Sequence, residues 1–145
     1  MPEGQAAAPA AAAAAAAPLV DPIARHCRNS GHMRPGLCKA HFNAFMPKLQ
    51  ERSGQLEASV FHASGQTPAA LEHIGRTIVK EPLKGHVLVP LAAIVARNLS
   101  VVPAPEPHPL HANILGWSDD KGVQRLDAKA LADASSQLTM YADPA

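Results

Sequence analysis

Both cysteines of the chain lie in one short stretch, CRNSGHMRPGLCKAHF (27–42), with two histidines interleaved at the spacing Cys27-x4-His32-x5-Cys38-x2-His41. Thiolate sulfur and imidazole nitrogen are ligand types that zinc takes, four of them in a tetrahedron. Intervals of this length let a chain turn back on itself, and Arg34-Pro35-Gly36 supplies the turn because Gly36 has access to positive φ. If a helix begins near Cys38, then Cys38 and His41 stand at i and i+3 on one face, where both reach a common ion. A helix N-terminus would also favour the thiolate. Two thiolates and two neutral imidazoles cancel the charge of Zn²⁺ and leave no coordination position open, so the expected ion is structural rather than catalytic. Two plainer readings stand beside this one: a disulfide between the cysteines, and four surface residues that share no ligand.

The segment GLCKAHF (36–42) is similar to the GLC-x2-HY end of a small zinc knuckle, C-x4-C-x5–8-GLC-x2-H-Y, found in phage and mobile-element proteins and ahead of HNH-type endonuclease domains. Cys27, Cys38 and His41 match that pattern, Gly36 and Leu37 match its turn, Phe42 stands where Tyr is usual, and His32 stands where the family has cysteine. The resemblance implies a Zn²⁺ cofactor held by Cys27, His32, Cys38 and His41, and nucleic acid as the partner. Charge supports the second implication independently. Residues 25–52 hold Arg25, Arg28, Arg34, Lys39, Lys48 and Arg52 against Glu51 alone, although the whole chain carries only +1. Clustered cations displace counterions from phosphates, and the competing reading is a merely solvated face.

The rest of the chain speaks less clearly. A span of 1–22 rich in Ala and Pro buries too little area per residue to offset ordering entropy and is expected to be a disordered tail. With no basic n-region ahead of a convincing apolar run, it does not look like a secretory signal, so a cytoplasmic, reducing location is expected. The longest apolar run, VLVPLAAIVA (87–96), falls short of the roughly 18 residues that a bilayer requires, and no membrane association is expected. A basic knuckle with a following helix should occupy 23–53, the apolar spacing of Phe42, Phe45, Met46 and Leu49 marking that helix. A small domain over 54–145 should follow: a strand over 56–64, a helix capped by Thr67 with Pro68 at its first position, and strand, helix, strand over 87–102. An extended proline connection, a short strand over HANILGW and a long C-terminal helix complete it. That helix presents Val123, Leu126, Ala130, Leu131, Ala134 and Leu138 on one face. The fold class is therefore α+β, mainly helical.

The remaining histidines, His26, His62, His73, His86, His108 and His111, sit in dissimilar contexts that packing or solvent exposure explains. His86, Pro90, Leu91, Asn98 and Leu99 faintly echo an HNH nuclease, but the further metal ligand, glycine pair and final histidine are missing, so no enzyme is expected. The function expected is nucleic-acid binding through the zinc knuckle. Alongside it, 54–145 is expected to engage a protein partner or a second copy of itself. The rival is a pure protein-interaction or antitoxin-like module without nucleic-acid binding, in which the basic segment faces an acidic partner.

Overall fold

The computed structural model describes residues 21–79 and 83–142. The expected disordered tail thus lies outside the described residues, apart from Asp21 and Pro22. In chain order the elements are β1 (Ile23–Cys27), β2 (Met33–Arg34), β3 (Lys39–Ala40), β4 (Lys48–Leu49), β5 (Leu56–His62), α1 (Pro68–Ile78), β6 (Gly85–Val89), α2 (Leu91–Val95), β7 (Ser100–Pro103), β8 (His111–Leu115), α3 (Lys121–Ala134) and β9 (Ser136–Met140). Short 3₁₀ turns fall at Ser30–His32, Pro35–Leu37 and Phe42–Phe45.

The expectation of a mainly helical chain is overturned. The framework is a seven-stranded antiparallel sheet, ordered β7-β8-β5-β1-β6-β9 with β4 added to β5, while β2 and β3 form a separate hairpin. Strand β1 lies at its centre. It pairs Ile23 with His62 of β5 on one side and runs five residues against β6 on the other. The boundary expected near residue 53 therefore passes between strands of one sheet.

Each misread element has a local cause. Strand β1 is covered on both faces and so lacks the alternation that marks a half-exposed strand. Phe42–Phe45 makes one 3₁₀ turn and no more, because Pro47 drives Met46 into extended backbone, ψ 130°. Helix α3 ends at Ala134 because Ser135 turns extended, its hydroxyl donating to Ala132 O at 2.6 Å while it accepts from Ala40 N at 2.9 Å. The residues beyond, expected to continue that helix, pair with β6 as β9 instead.

One sheet face builds the main core. Ile23, Cys27, Ala58, Val60, Val87, Val89, Ala112 and Ile114 point to that side, against Phe45, Ile94, Trp117, Ala128 and Leu131 from α2, α3 and the connecting turns. The other face carries Ala24 and Leu88 beneath Leu71 of α1. Helix α1 forms as its sequence dictates: Thr67 Oγ1 accepts from Ala70 N at 3.0 Å, Pro68 opens the first turn, and Leu71 and Ile74 are buried.

Candidate functional site

The second sheet face is divided into two environments. Under α1 it is closed. Gly75 lets the helix settle onto β1 so tightly that a Cβ there would stand 2.7 Å from the His26 ring and 2.9 Å from Leu83. His26 Nε2 meets Leu71 O at 2.9 Å; a carbonyl only accepts, so Nε2 carries the proton. Burial lowers the His26 pKa, and the Arg25 charge adds to that effect against the Leu71 hydrogen bond. His86, opposite His26 in the β1–β6 ladder, is hydrogen-bonded to the Tyr141 hydroxyl. Burial first, then the neighbouring His26, depress the His86 pKa to about 4, and burial raises that of Tyr141. Phe61 continues the row of rings, its centroid 5.4 Å from His26 and 5.3 Å from His111.

Beyond Phe61 the face is open and polar. Strands β5 and β8 pair over four successive positions, Ala58–Ile114 to Phe61–His111, which aims Glu57, Ser59, His111 and Asn113 away from the main core. The loop that carries Ala104, Glu106 and Pro107 stands on one side, and Gln50, Arg52 and Ser53 on the other. Between them lies a groove of about 780 Å³. Ser59 is exposed at its floor, and its hydroxyl is hydrogen-bonded to His111 Nε2. His111 is only 9% exposed, and its Nδ1 meets Ala104 O at 2.8 Å. Ala104 N donates in return to His111 O at 3.0 Å, so loop and strand hold each other.

Sequence reasoning placed its candidates elsewhere. Cys27 is fully buried in the main core, its sulfur 3.8 Å from His32 O, and burial pushes its thiol pKa up to about 12. Cys38 is exposed and left-handed, φ 54°, closing the Pro35–Leu37 turn rather than opening a helix. The i, i+3 relation to His41 therefore does not arise. His32 Nδ1 accepts from Arg28 N, and His41 Nδ1 accepts from Asn43 N, both at 3.1 Å. Among the described residues, no three His, Cys, Asp or Glu side chains gather closely enough to hold a metal ion.

The basic residues are also partly committed. Arg25 donates to Ala44 O and Ser59 O, both at 2.6 Å. Arg34 pairs with Asp133 at 3.1 Å and donates to Ala40 O. Lys39 Nζ donates to Asp133 O and Ser135 O. Lys48 and Arg52 are exposed, and Arg28 is half-exposed.

Sequence reasoning missed Ser59 and His111 as a pair. They lie 52 residues apart, and only the antiparallel register of β5 and β8 brings them together. The one local signal was HPLHAN (108–113), whose alternation sends His111 and Asn113 to the same side of a strand. Among the described residues, no helix is long and apolar enough to cross a membrane. Comparison with protein-family models, with curated proteins and with solved structures finds no match to this chain.

Proposed function

We propose that the groove over β5 and β8 binds a small polar molecule. One observation carries the reading: a single sheet face holds buried rings and apolar side chains where α1 covers it, and is lined with Glu57, Ser59, His111 and Asn113 where no described helix does. A sheet face left merely unused has no need of convergent polar groups backed by a second layer of hydrogen bonds. Its volume of about 780 Å³ falls in the range typical of small-molecule sites, roughly 300–1,000 Å³. The floor consists of paired strands, which place donors and acceptors more rigidly than loops do. The ligand class is hydrogen-bonding and carbonyl-bearing, since Arg52 and Asn113 offer donors while Ser59 offers an acceptor oxygen.

Ligand-observed NMR with a library of polar fragments tests this. Carbonyl- and carboxylate-bearing fragments are expected to bind the full chain and to be displaced in the Asn113→Leu variant. No binding at millimolar concentration, or equal binding to the variant, overturns the proposal. The nucleic-acid role expected of the basic segment falls to Arg28, Lys48 and Arg52, because internal contacts engage the other three cations. Salt-dependent retention on random-sequence duplex DNA is its separate check.

A further inference from the structure

We propose that Ser59 is an acyl-accepting nucleophile and His111 its general base, acting on an ester or thioester carbonyl held in the groove; the proposal rests on the groove being a ligand site. A serine hydroxyl is a weak nucleophile until a base in contact with it can take its proton, and the base must present the correct nitrogen. Both conditions are met. Ala104 O accepts from His111 Nδ1 at 2.8 Å, so Nδ1 carries the ring proton and the Nε2 lone pair faces Ser59. The serine hydroxyl is then the donor in that hydrogen bond. A third group orients the base, here a backbone carbonyl in place of the more usual carboxylate, and the reciprocal Ala104 N to His111 O bond fixes its position.

The rest of the constellation lies on the same strands. Asn113 is directly opposite Ser59 in the β5–β8 ladder, and both line the groove. Side chains so paired stand about 4.5–5.5 Å apart at Cβ, close enough for the Asn113 amide to donate to an oxygen bound at the carbon under attack. The Ser59 backbone is itself held from the other side of the sheet, where Arg25 donates to its carbonyl.

In the first step, Ser59 Oγ bonds to the acyl carbon as its proton passes to His111 Nε2. The resulting oxyanion is met by the Asn113 amide. Collapse breaks the bond to the leaving alcohol or thiol, which takes the proton back from His111, and an acyl-Ser59 ester remains. Water attacks that ester through the same base, releasing a carboxylic acid and restoring the serine. No oxidant, reductant or metal enters the balance.

The full chain is incubated with p-nitrophenyl acetate and, separately, with a fluorophosphonate, then read by intact mass and peptide mapping. A single adduct on Ser59 is expected, absent in Ser59→Ala and formed at least tenfold more slowly in His111→Ala. Circular dichroism of both variants guards against misfolding. Because the Ser59 side chain is exposed, that variant carries the test if loss of the Ala104 clamp unfolds the other. If polar fragments bind the wild-type groove but no adduct forms, or the adduct maps elsewhere and persists in Ser59→Ala, the nucleophile is overturned and the ligand site stands. If neither binding nor adduct is seen, both fall.

Discussion

Arg25 is the residue on which the middle of the sheet turns. Strand β1 pairs with β5 only at Ile23 and Ala24, and beyond that point the two strands part. The guanidinium fills the gap, donating to Ala44 O and Ser59 O. Burial brings its pKa down to about 10, which still leaves it charged at neutral pH. The two cysteines divide sharply in exposure. In the native protein, Ellman's reagent is expected to titrate Cys38 alone, with Cys27 joining only in urea, because Cys27 is fully buried and its thiolate disfavoured. Two equally protected thiols that EDTA exposes would instead support the zinc knuckle. His86 sets an acid limit. Burial moves its pKa from 6.5 to about 4, so between those values the unfolded chain binds a proton that the folded chain refuses. Stability therefore falls as the pH drops from about 6.5 towards 4, by roughly 3 kcal/mol over the full window, with His26 shifted in the same sense. Urea midpoints at pH 7.5 and pH 5 measure it, and a flat profile contradicts it.

Helix α1 was legible because its signals agree: an N-cap threonine, a first-turn proline, and apolar residues at helical spacing. Its closeness to the sheet was not, since nothing local announces that Gly75 faces a histidine ring. Gly75→Ala is expected to destabilise by about 1–2 kcal/mol, the overpacking against His26 and Leu83 outweighing the roughly 1 kcal/mol that alanine contributes to helix propensity. Thermal unfolding reads this directly, and a stabilised variant would show that α1 can move. Helix α3 was found in sequence with its inward face partly misplaced: Leu131 is buried and Ala134 packs against the core as expected. Val123 and Leu126 are 42% and 62% exposed, whereas Gln124, Asp127, Ala128, Leu131 and Ala132 are buried. Alanines on several sides blur the apolar stripe, and the buried polar positions are satisfied by partners outside the helix. Asp127 pairs with Arg97 at 3.0 Å, and Gln124 donates to Ser118 O at 2.7 Å. The Arg97 contact, 30 residues away in sequence, lies outside any local window.

At the scale of the molecule, individual elements of 54–145 could be read along the chain, but the sheet that unites them could not. Strand order is set by pairings across long separations, and β1 reveals nothing of its central place because both its faces are covered. The groove was hidden for the same reason: its floor exists only once β5 and β8 are in register. A fragment covering 54–145 is accordingly expected not to fold, lacking the strand between β5 and β6, and its proton NMR spectrum should show collapsed dispersion where the full chain shows wide dispersion. A well-dispersed fragment would restore the boundary near residue 53. Strand order also opposes the direction of synthesis. Of the described strands, the earliest in sequence, β1, is flanked by β5 and β6, which emerge later, and Lys39 and Ala40 dock on Asp133 and Ser135, 94 to 96 residues further along. On the ribosome, the early third of this chain must wait with Ile23 and Phe45 wet, so a nascent chain stalled before α3 would present chaperones and proteases with an unfinished sheet rather than a smaller folded protein.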